Sequence, residues 1–402
     1  MRKPLLSGTV LALGLITAVP GVLAGKLNIY PDKPTIDERG STRQFHWDGQ
    51  GSPGQFAINY NRPAWKPEFA QRFEELTKGR YWRLGHDFWT ILDTNIPLTI
   101  AGADVPAGMY YLAVERSQDG RRWQLLVIDS DKARRQLQDA GSMHDGQAPD
   151  LPVLFKTALR YRELPQSGEK LTILLSGKPQ HLKEEGAEKA DAVLLIDYGP
   201  HRLSAPIQAH WASPENVFSP HAPLNERGST RQYYFDLEAR RPVGQFAINF
   251  NRPQWRPEYA QMMEKAQKET MWRLGGSFWT VLDNNVPIEI SGVEIPAGYH
   301  YLVVVLEPSD GERRWSLGVV DPVKTRQLRL DAAQVDGEYA VKVPLVQKAT
   351  LHFSKVDQVA GQVTIQLGPH KDEPLQALLE IAFGPYRLKA AVHPRLRRPE
   401  TD

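Results

Sequence analysis

The stretch GQFAINYNRPAWKPE at residues 54–68 returns as GQFAINFNRPQWRPE at residues 244–258, and its reading decides the fold. In GQFAINYN apolar and polar residues alternate with a period of two, the pattern of a strand that turns one face to a core. Phe56, Ile58 and Tyr60 are expected on the core face, and Gln55, Ala57, Asn59 and Asn61 on the outward one. Arg-Pro then ends the strand. Pro67 suits a first helical position, Glu68 complements the helix N-terminus, and Phe69, Phe73 and Leu76 share one helical face. Pro257, Glu258, Tyr259, Met262 and Met263 take the matching places in the second copy. Each copy therefore reads as a core strand, its exit, and the start of a short covering helix.

The correspondence runs far beyond this stretch. ERGSTRQ occurs at Glu38 and Glu226, WRLG at Trp82 and Trp272, FWT at Phe88 and Phe278, PAG at Pro106 and Pro296, and RRW at Arg121 and Arg313. The copies still match near their ends, as DYGPHRL from Asp197 and AFGPYRL from Ala382. A repeat this long is too large for a solenoid unit and indicates two tandem domains. Other alternating runs end at Ile100 or begin at Met109, Arg122, Lys170 and Ala192, separated by turn residues. The expected fold class is all-β: two tandem antiparallel β-sandwich domains, each with one short covering helix. The expected division is a signal peptide over 1–24, repeats over 25–212 and 213–392, and a flexible basic tail over 393–402 carrying Arg395, Arg397 and Arg398. The boundary falls in the Pro-rich, polar segment from Trp211 to Pro223.

Composition narrows the function. Arg2 and Lys3, the apolar run from Leu5 to Ile16 and small residues up to Ala24 form a secretory signal pattern, so the mature chain is expected in the periplasm or outside the cell. No stretch has the roughly 20 apolar residues of a transmembrane helix. The chain of 402 residues has no cysteine, which excludes a disulfide scaffold, thiol chemistry and a thiolate metal site. Its formal net charge of +2 falls to zero without Arg2 and Lys3, and offers nothing to nucleic acid.

These residues resemble a known family, the bacterial secreted domain of unknown function number 2911. The resemblance rests on an ordered set: NRP from Asn61, WRLG from Trp82, Thr90, Gly102, PAGMY from Pro106 and HRLSAPI from His201. The second copy has NRP from Asn251, WRLG from Trp272, Thr280, Gly292, PAGYH from Pro296 and YRLKAAV from Tyr386. Where the family has a polar Asn-Glu pair after Trp-Arg-x-Gly, this chain has His86, Asp87 and Phe88, and then Gly276, Ser277 and Phe278. The resemblance implies an exported β-sandwich and no particular reaction.

The candidate ligand-binding residues are Arg62, Trp65 and Arg83 with their counterparts Arg252, Trp255 and Arg273. Guanidinium groups hold carboxylates in two-point contact, and exposed indoles offer a platform for a flat ligand. The same arginines could instead stack on a tryptophan or pair with Glu68 or Asp93 to pin a loop. Trp89, Trp123, Trp279 and Trp315 are expected in the core. The shared acids Glu38, Asp48, Glu68, Asp93 and Asp129, with Glu226, Asp236, Glu258, Asp283 and Asp321, could supply a carboxylate pair for hydrolysis, but each also suits a turn or helix start. His46, His86 and His201 become Tyr234, Gly276 and Tyr386 in the second copy, which disfavours a duplicated metal site. A first-copy site of His46, Asp48, His86 and Asp87 has no motif spacing to support it, and these histidines are expected on the surface. No catalytic residue, metal or cofactor is assigned. The reading is a binding or envelope-associated module for an acidic glycan or peptide. The alternatives are a carboxylate- or metal-dependent hydrolase and a structural spacer.

Overall fold

The structure is a computed structural model that describes residues 27–32, 39–46, 54–144, 150–177, 190–211, 217–218, 227–266, 269–276, 278–309, 312–335 and 342–396. The signal-peptide segment, Glu38, Asp48, Glu226, Ser277, Arg397 and Arg398 lie outside them.

The chain starts with β1 (Leu27–Asp32) and then builds the first repeat. Its strands are β2 (Arg39–His46), β3 (Gly54–Asn61), β4 (Tyr81–Arg83), β5 (Thr90–Thr94), β6 (Leu98–Ile100), β7 (Ala103–Val105), β8 (Gly108–Arg116), β9 (Trp123–Asp129), β10 (Val153–Ser176) and β11 (Ala192–Ala209). After β12 (Val217–Phe218) the second repeat follows as β13 (Arg227–Asp236), β14 (Arg241–Asn251), β15 (Thr270–Arg273), β16 (Thr280–Asn284), β17 (Ile288–Ile290), β18 (Val293–Ile295), β19 (Gly298–Ser309), β20 (Glu312–Val320), β21 (Leu345–Pro369) and β22 (Ala377–Pro394).

The two sheets have the same antiparallel order. The first runs β12-β2-β3-β5-β8-β9-β10-β11-β6-β7 with β4 beside β8, and the second runs β1-β13-β14-β16-β19-β20-β21-β22-β17-β18 with β15 beside β19. In the first, β10 pairs with β9 through its early residues and with β11 through its later ones, with register shifts after Glu163. This long strand carries one sheet into both layers, and its far end returns to β2, where the Leu175 amide donates to Thr42 Oγ1 at 3.0 Å. Phe56, Ile58, Leu92 and Leu125 from one layer thus meet Ile173 and Ile196 from the other in a β-sandwich-like core. Phe246, Ile248, Leu282, Leu317, Ile365 and Ile381 form the matching core of the second repeat.

Each leading strand sits on the other repeat. β1 pairs with β13 over six residues, and β12 pairs with β2 through Val217 and Phe218. The outward face expected for β3 is also not a solvent face: Ala57, Asn59 and Asn61 are buried. The reason is a third apolar cluster in which Trp89, Ile91 and Tyr111 of the first repeat pack with Trp279, Val281 and Tyr301 of the second. The repeats lie face to face, so strands that read as half-buried are buried on both sides.

The covering helix of the first repeat is two short turns, α1 (Pro67–Gln71) and α2 (Phe73–Thr77), broken at Arg72. Its counterpart α4 (Pro257–Lys265) is continuous. Two further helices were not expected: α3 (Ser130–Arg135) and α5 (Pro322–Gln327), capped by the carboxylates of Asp129 and Asp321. An Asp after a strand marks such a start, but these helices are too short to show a periodic face.

Candidate functional site

Trp65 leaves β3 in a loop whose amide donates to Glu169 O at 2.7 Å. Its indole is half-buried, edge-on to Tyr198 at 5.0 Å and to His201 at 5.4 Å between ring centres. Arg62 turns back to β10, donating from Nε to Leu171 O at 3.2 Å and from Nη2 to Thr172 Oγ1 at 3.4 Å. Arg83 donates from Nη1 to Ala140 O and Gly141 O at 3.1 and 2.9 Å. Both arginines pin segments to the sheet through backbone carbonyls, and Arg83 also lies in the field of the Asp87 and Asp139 carboxylates. In the second repeat Arg273 repeats this role on Ala333 O at 2.7 Å, Arg252 is buried, and Trp255 packs edge-on to Phe383 at 4.8 Å. Trp89, Trp123, Trp279 and Trp315 are all buried, as core residues should be.

Arg62, Trp65 and Arg83 share one feature: all three line a cavity of about 460 Å³ in the first repeat. Phe69, Phe73 and Leu76 on the covering turns form one wall, and Trp82, Trp123 and Tyr198 on the sandwich form another. The helical spacing read from the sequence thus places its three apolar residues on one cavity face. Lys66 and Arg80 add positive charge to the lining, and among the described residues no Asp or Glu belongs to it. The equivalent cavity of the second repeat is about 190 Å³, lined by Tyr259, Met263, Trp272 and Trp315, and of the candidate residues only Arg273 reaches it. The six candidates therefore do not form one site. Three gather in the first repeat, and Arg252, Trp255 and Arg273 serve the packing of the second.

The first cavity has a polar chain that the second lacks. Tyr161 Oη lies 2.9 Å from His201 Nδ1 and 3.2 Å from Glu163 Oε1. Tyr161 donates to the Glu163 oxygen, and with its hydroxyl hydrogen so used it accepts a hydrogen bond from His201 Nδ1–H. The His201 ring stacks on Phe73 at 3.7 Å, and burial holds the imidazole below its usual pKa, toward the neutral form. Burial, then the nearby Glu163, push the Tyr161 phenol up to about 12. Phe353, Lys355 and Tyr386 fill the corresponding positions of the second repeat. Sequence reading singled out Arg and Trp, took His201 for a surface histidine and passed over Tyr161. The usable signal was that His201 and Tyr161 align with Tyr386 and Phe353, aromatic in both copies and polar at both positions in only one.

The shared carboxylates have a different place. Tyr111 donates to both oxygens of Asp283 at 2.9 and 2.7 Å, and Arg134 Nη1 lies 3.3 Å from Asp283 Oδ1. Across the interface Tyr301 and Arg326 hold Asp93 in the same way, with Arg326 Nη1 at 3.3 Å. Arg43 pairs with Asp331 at 2.7 Å, and Arg231 with Asp139 at 3.3 Å. Arg227 reaches Asn59 Oδ1 at 2.7 Å. Every one of these links joins one repeat to the other. Asp93 and Asp283, expected in turns, are interface residues on strands, and burial raises the Asp283 carboxyl. Of the remaining acids, Glu68 and Glu258 are exposed and Asp236 caps the turn after β13.

Of the residues weighed for a metal, His86 pairs with Asp87 at 2.8 Å, while His46 is buried where a surface histidine was expected. Among the described residues no three His, Asp or Glu side chains are grouped to hold an ion, and no helix is long and apolar enough to cross a membrane. Arg395, expected in a free tail, pairs with Glu294 at 2.7 Å.

Comparison with curated proteins and with solved structures gives no significant match. Residues 47–183, which span β3 to β10 and carry most of the lining of the first-repeat cavity, match the family model described as protein of unknown function (DUF2911).

Proposed function

We propose that the chain is an exported, periplasmic or secreted binding module, and that the cavity of its first repeat takes a flat, ring-bearing acidic ligand of the class of an envelope glycan or peptide. The observation that carries the reading is a cavity of about 460 Å³ walled by aromatic rings, with Lys66 and Arg80 in its lining and, among the described residues, no carboxylate. Aromatic faces take up flat ligands, basic side chains favour an acidic group, and a few hundred Å³ is the usual size of a small-ligand site. The charged start and apolar run before Ala24 support export.

Thermal unfolding of residues 25–402 against a uronate-containing oligosaccharide, a Glu-rich peptide and a neutral oligosaccharide tests the proposal. Binding at a hundred times the dissociation constant adds about 2.7 kcal/mol to stability and raises the midpoint visibly. The expected result is a saturable shift with an acidic ligand that is lost when Leu76→Trp fills the cavity. An unchanged shift in that variant, or no shift with either acidic ligand, would overturn it.

A further inference from the structure

A second cavity, of about 580 Å³, opens between the repeats and shares no lining residue with the aromatic one. Both repeats build it from equivalent positions, with Tyr110 opposite His300, Arg134 opposite Arg326 and Leu154 opposite Val346. Its apolar side chains are unusually open to water. Leu154, Val346 and Val323 are 48, 51 and 53% exposed, and three large apolar groups around one cleft mark an interaction surface where scattered ones do not.

The charge of the cleft is equally specific. Asp129, Asp131 and Asp321 line it. Its two arginines do not offset them: Arg134 is shared between Asp283 and Asp131, one positive charge against two carboxylates, and Arg326 is matched by Asp93. Asp129 and Asp321 accept only backbone amides, as caps of α3 and α5. The cleft therefore presents uncompensated negative charge beside apolar side chains. It is also polarised, because Asp131 in the first repeat is replaced at the equivalent position by Val323 in the second.

We propose that the cleft between the repeats docks a short extended segment of a partner protein in which basic and apolar side chains alternate. The apolar side chains cover Leu154, Val323 and Val346, and the basic ones meet Asp129, Asp131 and Asp321. The Asp131 end fixes the direction by taking the segment's strongest positive charge. An acidic segment or an anionic lipid surface is repelled by the same carboxylates, which sets this partner apart from the ligand of the aromatic cavity.

The test is calorimetric titration of the full chain with the acetylated peptide amide Lys-Leu-Lys-Leu-Lys, alongside analogues with Glu for Lys and with Ser for Leu. The expected result is saturable one-to-one binding of the first peptide only, weakening as salt rises. Asp131→Asn with Asp321→Asn should reduce affinity at least tenfold, and Asn at 321 still caps its helix, so folding is retained. Val346→Ser with Val323→Ser, a change on the open surface, gives an independent loss of similar size. Absence of saturable binding, equal binding of the Glu analogue, or full affinity in both double variants would overturn the proposal. None of these outcomes depends on a ligand in the first-repeat cavity.

Discussion

Trp65 lies flat against the backbone of Gly199, and a Cβ added to that glycine would overlap the indole. Trp255 and Gly384 repeat the relationship, and both glycines have φ of +59°, which L side chains rarely adopt. The Gly-Pro kept near the end of each copy is therefore the seat of the Trp kept near its beginning. Gly199→Ala should destabilise the protein by about 1–3 kcal/mol through overlap and backbone strain together, and Gly384→Ala by a similar amount. Urea denaturation of the two variants checks this; wild-type midpoints in both would contradict the packing.

The cross-repeat carboxylates give a second expectation. Asp283 is paired with Tyr111 and Arg134 from the other repeat, so Asp283→Ala takes the acceptor from the buried Tyr111 hydroxyl and leaves the buried guanidinium with only the exposed Asp131 as counter-charge. A loss of about 3–5 kcal/mol is expected, with Asp93→Ala close to it. Because both links cross the interface, the wild-type chain should unfold in one transition and the variants in two. Calorimetric scans distinguish these shapes, and a single unshifted peak in the variants would count against it.

Asp139 sets a pH dependence. Burial raises its carboxyl to about 6 from 3.8, against the opposing pull of Arg231. Between those values the unfolded chain releases the proton while the folded chain keeps it, so this group's stability contribution falls as pH rises and levels off above about 6. Asp139→Asn cannot titrate. The stability of wild type relative to that variant should therefore fall by roughly 2.4 kcal/mol between pH 4 and pH 7, since a tenfold change in proton affinity corresponds to about 1.4 kcal/mol. Denaturation midpoints of both proteins across this range read the difference directly, and a constant difference would refute the assignment.

A fourth expectation concerns β1. A chain beginning at Arg39 lacks the strand that pairs with β13, so amide exchange should accelerate in Arg227–Asp236 and stay slow in Phe56–Tyr60. Faster exchange in the first repeat alone would mean that β1 does not lie on the second.

Alternation in GQFAINYN and its relatives was enough to read the strands, because it reports local geometry and one core face. It could not report that Asn59 faces the other repeat or that Asn61 is buried, since a polar residue looks the same beside water as beside Arg227 or Arg39. The arginines of RGSTRQ were a usable clue: charged side chains at the start and in the middle of a strand, kept in both copies, are costly in a core unless a partner receives them. The cavity was half legible. Phe69, Phe73 and Leu76 stood out by their spacing, whereas Tyr161, Tyr198 and His201 come from strands more than 80 residues away and converge only through the bend in β10.

The exchange of leading strands has a mechanical consequence. The polypeptide crosses from one repeat to the other before each sandwich begins, so tension applied at the N-terminal side is borne first by the six-residue ladder between β1 and β13, loaded in shear along its length. Pulling the chain straight must break that ladder before either sandwich is stretched. The two halves are clasped by backbone as well as by side chains, and the clasp would hold them in register under load.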